Sequence, residues 1–388
     1  MHVLIAPDCF TGTLTATQAA EAMAEGWRRS APGDLLTLMP LSDGGPGFLD
    51  VLGTSIPEGR SVLTTATDPL GREVPATLLV VDDDGRRTAY IESAQAAGLH
   101  LLAADERNPA VTSTWGVGHL LDAALREGAE RVVVGLGGSG TNDGGAGMLA
   151  CLGVGSAAGL ARGGLALADL PDTGLKGLQD VRDRFGGIEL LIATDVDSPL
   201  LGLHGASAVF APQKGASPEV AQALESALGR FTEVVSRTLP DSRDLLSGQP
   251  RRLDREPGAG AAGGLGYGLM LLGGRRVSGV EQVLSAVGFA DVVGAADLVI
   301  TGEGCFDWQS LRGKVVAGVA QAALSAAIPT VVIAGQTMVG RREAMTLGLS
   351  GTYAVAETPE QVEAAVADPV GTLAARTARV ATTWSPNR

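Results

Sequence analysis

The sequence predicts an α/β protein of two domains. A discontinuous, Rossmann/flavodoxin-like doubly wound parallel sheet is interrupted by an inserted mixed α/β domain, with the active site expected in the cleft between them. Three observations predict this. Both ends of the 388-residue chain alternate short apolar strands with helical periodicity, the pattern of parallel βαβ units. The middle opens instead with three strands joined by short turns, an antiparallel meander. Polar or glycine-rich loops follow the strands, which is where α/β folds gather ligands.

Taken in order, residues 2–6 form an apolar strand ending in Pro7-Asp8. Thr15-Ala-Thr-Gln18 makes a capping box for a helix that buries Ala19, Ala20, Met23, Ala24 and Trp27. A second strand, 35–39, runs into Leu41-Ser-Asp-Gly-Gly45. The meander follows at 62–67, 74–81 and 88–92, with Asp84-Gly85 as one of its turns. Helices are expected over 115–127 and 218–238, the latter capped by Ser217, started by Pro218 and carrying Val220, Leu224, Leu228, Phe231 and Val235 on one face. Strands at 131–134 and 189–193 each end in a polar loop, and 258–268 is glycine-rich. The parallel style resumes with strands at 298–301, 330–334 and 352–356 and helices near 314–327 and 340–348. Two N-terminal and three C-terminal strands make a five-stranded sheet. The domains therefore read as 1–60 with 290–388, and 61–289.

Composition narrows the function. The formal net charge is −14, which disfavours nucleic acid or an anionic membrane as a main partner. Glycine is abundant, 55 residues, about twice its usual share of roughly 7%, and it clusters at strand ends without a fixed period. The three cysteines, Cys9, Cys151 and Cys305, lie far apart and give neither a disulfide framework nor a zinc spacing. No apolar run is long enough to span a bilayer and no leader pattern opens the chain. A soluble, cytoplasmic protein is expected, and a homodimer stays open.

The most informative segment is 131–147, a β-branched strand followed by Gly-Leu-Gly-Gly-Ser-Gly-Thr-Asn-Asp-Gly-Gly-Ala-Gly. Glycine admits positive φ and close approach of a ligand to the backbone, and phosphate is the usual occupant of such loops. Gly135 to Gly140 matches a dinucleotide fingerprint, so an NAD-dependent dehydrogenase must be weighed. Thr141-Asn-Asp-Gly-Gly145 delays the helix that the fingerprint requires, however, and 153–168 contains no acidic residue to bind a ribose. The nucleotide P-loop pattern is absent too, since Lys314 is followed by Val315. Lys214, beside Gly215, is a compact cation suited to phosphate. Asp8, Asp43, Asp143, Asp195, Glu303 and Asp307 each follow a strand or lie in a glycine loop. A turn or cap residue explains any one of them, but six suit a metal–phosphate enzyme, which needs carboxylates for the cation and for a hydroxyl proton.

Together these segments resemble the type I glycerate kinase family. The resemblance is carried by Ile5-Ala-Pro-Asp8, Asp43-Gly-Gly45, the 137–147 loop, Gly205-Ala-Ser-Ala-Val-Phe210, Pro212-Gln-Lys-Gly-Ala216, Gly258-Ala-Gly-Ala-Ala-Gly-Gly264 and Asp297-Leu-Val-Ile-Thr-Gly-Glu-Gly304. It implies ATP-dependent phosphorylation of glycerate to a phosphoglycerate, with Mg²⁺. On that frame Gly137, Gly138, Ser139, Thr141, Asn142 and Asp143 would bind nucleotide phosphate. Asp195 or Asp143 would hold the metal, and Lys214 would offset developing charge. Asp8 or Asp43 would accept the hydroxyl proton, and Glu303 with Asp307 would orient substrate or metal. The chain departs from the family pattern at Thr11 (Lys), Pro46 (Glu), Ser198 (Asn), Cys305 (Arg) and Trp308 (Gly). Those departures keep two alternatives in view: a related small hydroxy acid as acceptor, and a non-catalytic metabolite-binding paralogue.

Overall fold

The computed structural model describes residues 1–10, 12–83, 85–239, 248, 251–311 and 313–386; Thr11 and Asp84, singled out above, lie outside them. Its strands, in chain order, are β1 (His2–Ile5), β2 (Leu35–Leu38), β3 (Arg60–Thr67), β4 (Glu73–Asp83), β5 (Arg86–Glu92), β6 (Arg131–Gly135), β7 (Glu189–Ala193), β8 (Arg275–Val277), β9 (Leu298–Thr301), β10 (Cys305–Phe306), β11 (Thr330–Ala334), β12 (Gln336–Thr337) and β13 (Leu349–Ala354). By contact the chain divides into two units, one made of Met1–Asp43, Asp50–Pro57 and Ser278–Arg388, the other of Gly44–Leu49 and Glu58–Val277. Helices Gly279–Ala286 and Phe289–Val293 thus go with the first unit, and the short loop 44–49 goes with the second.

The first unit is built on a five-stranded, all-parallel sheet in the order β13-β11-β9-β1-β2. Counted within the unit this is 2-1-3-4-5, the flavodoxin-like order, whose ligands bind at the carboxyl ends of the strands where the winding reverses. Here the reversal falls between β1 and β9, which pair as Val3↔Leu298 through Ile5↔Ile300. The period of two in β11 sorts its side chains to opposite faces. Val331 and Ile333 join a core with Met23, Trp27 and Leu373, while Val332 and Ala334 join one with Phe306 and Val316. Helix Ala16–Ser30 starts in the expected capping box, Thr15 accepting from the Gln18 amide, and all five of its predicted core residues are buried. Gly26 lets this helix close onto Pro369–Trp384, since a Cβ there would overlap the Ala374 backbone. The last strand begins three residues earlier than its β-branched residues suggest, because Leu349 pairs with Thr330 and Gly351 with Val331, the register shifting by one residue at Ser350 between them.

The second unit carries a six-stranded sheet in the order β3-β4-β5-β6-β7-β8. β3, β4 and β5 are antiparallel neighbours and β5 through β8 are parallel. Helices Trp115–Arg126 and Pro218–Thr238 lie where periodicity places them, and Ser217 accepts from the Val220 amide as the N-cap. Leu120, Leu121, Val132, Val134, Met148, Leu228 and Phe231 share one core. β8 escapes sequence reading: it has three residues and two of them are arginine.

Candidate active site

In the second unit the glycine loop leaves β6 through Gly135, whose carbonyl accepts from Ser93 Oγ at 2.7 Å. Loop 44–49 lies against it: a Cβ on Gly137 would come within 2.5 Å of Gly45 Cα, and one on Gly138 within 2.7 Å of Pro46 Cγ. The loop is then pinned to 97–99 by Leu99 N donating to Gly138 O at 2.8 Å and Gly140 N to Ala97 O at 2.7 Å. Gly138 holds φ +61° and is exposed. Among the described residues, no acceptor meets the amide N–H groups of Gly137, Gly138 or Ser139. Successive backbone donors at a glycine turn suit an oxyanion.

The rest of the loop is held from inside. Thr141, Asn142 and Asp143 are fully buried. Asn142 donates to Ser207 Oγ at 3.0 Å, and Thr112 Oγ1 donates to Gly140 O at 2.9 Å. The second glycine segment interlocks with it. Ala262, Gly263 and Gly264 form a left-handed turn; a Cβ on Gly263 would overlap Thr141 O, and one on Gly264 would lie 2.7 Å from Gly144 Cα. Lys214, 2% exposed, sits under the loop, with Nζ donating to Ser139 Oγ at 2.9 Å and to Thr141 O at 2.7 Å. Burial pulls its pKa down to about 7, against an opposing pull from Asp143.

Asp143 does not fit a metal. Its Oδ2 accepts from Thr114 N at 2.8 Å, Thr114 Oγ1 at 2.9 Å and Gly147 N at 3.2 Å, and its Oδ1 from Gly145 N at 3.1 Å. A carboxylate offers about four lone-pair sites, so these are taken up by four donors at 0% exposure. Thr114 Oγ1 also accepts from Met148 N. Asp143 thus ties together the starts of helices Trp115–Arg126 and Ala146–Cys151, and the expectation of a metal ligand there is corrected to an anchor. Desolvation by burial raises its pKa. Asp195 is half-buried at the carboxyl end of β7. Mg²⁺ needs only one or two protein carboxylates beside water and phosphate oxygens, and Asp195 fits that donor chemistry. Among the described residues no group of three His, Cys, Asp or Glu side chains gathers as a metal cage.

In the first unit the acidic residues assemble at the winding reversal. Asp8 follows β1 and donates its amide to Gly302 O at 2.8 Å, so it lies beside Glu303, which follows β9. Burial, then the nearby Asp43 and Glu303 charges, raise the Asp8 pKa well above the ordinary carboxylate range, although its carboxylate also accepts from Cys9 N at 2.7 Å. Glu303 is 6% exposed, its Oε1 has no partner among the described residues, and burial pushes it up to about 7. Asp307 is half-buried and its Oδ1 accepts from the Gln309 and Ser310 amides at 2.8 and 3.2 Å, so one of its oxygens shapes the turn. Sequence reasoning missed Thr114, Thr112 and Ser207, since nothing local marks a threonine or serine as the partner of a loop 28 or more residues away. Of the departures, Pro46 and Trp308 are exposed, Trp308 at 60%, and Cys305 lies half-buried in β10.

An α/β chain with a flavodoxin-like sheet, an amide-lined glycine loop and a carboxylate cluster at strand ends is built for phosphoryl chemistry. Residues 3–385 match the sequence profile of the Glycerate kinase family. The chain is 42% identical to the glycerate kinase of Bacillus subtilis over 341 residues, 86% of this chain and 85% of that one. It is 38% identical to the glycerate 2-kinase of Escherichia coli over 343 residues, 86% and 85% of the two chains. A crystal structure described as glycerate kinase 2 from Salmonella typhimurium superposes with TM-score 0.74 at 36% identity, covering 99% of this chain and 98% of that one. The chain belongs to the glycerate kinase family, and it is a kinase.

Proposed function

We propose that this kinase transfers the γ-phosphoryl group of ATP to a hydroxyl of glycerate, giving a phosphoglycerate, with Mg²⁺ as the cation. The observation that carries the nucleotide half is the run of amide donors at Gly137, Gly138 and Ser139 without acceptors among the described residues. Glycerate as acceptor is supported by the names of the relatives with 37–42% identity.

Phosphoryl transfer rests on positioning and charge neutralisation. The amides of residues 137–139 and the Ser139 hydroxyl hold phosphate oxygens. Thr141, Asn142 and Lys214 fix the loop's shape from within. When bound, Mg²⁺ supplies charge neutralisation on the phosphate oxygens, and Asp195 would hold it. Asp8 or Asp43 takes the proton of the acceptor hydroxyl. Asp8 is the better placed, because burial and then the Asp43 and Glu303 charges raise its proton affinity, which is the direction a general base needs. Glu303 and Asp307 orient the acceptor.

The test is ADP release with D-glycerate and a panel of small hydroxy acids, run on the wild type, Asp8→Asn and Asp43→Asn. Asp8→Asn lowers kcat by about a hundredfold or more, the usual reach of general-base catalysis, and leaves the KM for ATP unchanged. Asp43→Asn loses less. Thermal stabilisation by ATP or glycerate, with no turnover of any acceptor, would instead favour the metabolite-binding paralogue.

A further inference from the structure

We propose that Lys214 is a positioning residue that turns the Ser139 hydroxyl into an outward-facing donor for a phosphate oxygen over the glycine loop. This rests on the reading that the loop holds nucleotide phosphate. An ammonium group only donates hydrogen bonds. Ser139 Oγ, 2.9 Å from Lys214 Nζ, therefore accepts, and its own hydrogen must point elsewhere. Among the described residues no acceptor meets the Ser139 hydroxyl, and the nearby carbonyls take other donors: Gly138 O from Leu99, Gly140 O from Thr112, and Thr141 O from Lys214 itself. That leaves the side of the loop shared with the amides of Gly137, Gly138 and Ser139, which meet no acceptor among the described residues. One buried cation thus adds a fourth donor to the cradle without touching the ligand.

The arrangement has a built-in sense. If Lys214 loses its proton, the neutral amine can accept from Ser139, and the hydroxyl then presents a lone pair to the phosphate. Burial brings the ammonium within reach of that change near neutral pH, and Asp143 is the charged group that opposes it. Its hydrogen-bond partners, Ser139 and Thr141, are neutral. Phosphate on the loop favours the ammonium, so nucleotide binding takes up a proton by linkage.

The experiment is calorimetric titration of the full chain with MgATP from pH 6 to 8.5, in buffers of differing ionisation enthalpy, with D-glycerate as a separate arm. Wild type binds MgATP about tenfold more weakly at pH 8.5 than at pH 6, with proton uptake, because one charge-assisted hydrogen bond is worth about that factor. Ser139→Ala and Lys214→Met each lose about tenfold at pH 6, bind without pH dependence, and combined lose no more than either alone. Lys214→Arg, a cation throughout the range, restores tight binding without the pH dependence. The KM for D-glycerate moves in none of them. Ser139→Ala is the decisive variant should Lys214→Met fold poorly, because it leaves the lysine in place. Wild-type affinity and pH dependence in Ser139→Ala, or additive losses in the double variant, overturn the proposal while leaving the kinase reading intact. A pH-dependent loss confined to D-glycerate would assign the effect to a carboxylate rather than a phosphate. Wild type that binds no nucleotide at any pH overturns both.

Discussion

Asp143 gives all its hydrogen-bonding capacity to four donors inside the second unit. Removing a buried, hydrogen-bonded carboxylate leaves those donors stranded, and the cost of breaking such a network is about 3 kcal/mol. Asp143→Ala should therefore lower stability by that order in urea unfolding, and lose activity through loss of the fold. A variant with wild-type stability and no turnover would return Asp143 to the chemistry. Glu303 makes the opposite prediction. Its ordinary value is 4.5 and burial raises it to about 7 in the folded chain, so the folded state holds its proton more tightly than the unfolded one does. The stabilisation this gives is complete below about pH 4.5 and is lost as pH rises through about 7, on the order of 3 kcal/mol. Denaturant midpoints between pH 5 and 8 should fall with pH in the wild type and flatten in Glu303→Gln; parallel curves would exclude Glu303 as the source. At this scale the sequence shows which residue types collect at strand ends, but not which donors converge on them. That is why Asp143 and Asp195 read alike.

The two glycine segments are one element in energetic terms. Backbone meets backbone where Gly263 faces Thr141 and Gly264 faces Gly144, at distances that leave no room for a Cβ. Gly263→Ala should cost several kcal/mol by overpacking and left-handed strain combined, read as a lowered Tm together with weakened nucleotide binding. Ala262 shares the left-handed turn at φ 52° but carries a Cβ there. Ala262→Gly should raise stability by about 0.5–1 kcal/mol, and a fall would mean that the methyl group packs more than it strains. Sequence pattern found both segments and the helices with strong caps, Thr15–Gln18 and Ser217–Pro218, because caps and periodicity are local signals. It did not find that the segments touch, nor the short β8, β10 and β12, whose pairing depends on neighbours far along the chain.

For the whole molecule, a five-stranded doubly wound sheet was legible because two strands lie before the insertion and three after it, while its flavodoxin-like order comes from the strand pairing. The division between units was less so. Loop 44–49 goes with the second unit through close approach at Gly135 and Gly137, which no composition change marks. Family membership accounts for a kinase; the acceptor and the nucleotide are what the proposed function adds. The most direct measurement is phosphorus NMR of the full chain incubated with ATP, Mg²⁺ and D-glycerate. A phosphomonoester signal of phosphoglycerate should grow in step with ADP, and chelation of the magnesium should abolish both. ADP and phosphate without phosphoglycerate, or an unchanged ATP spectrum, would contradict phosphorylation of glycerate by ATP.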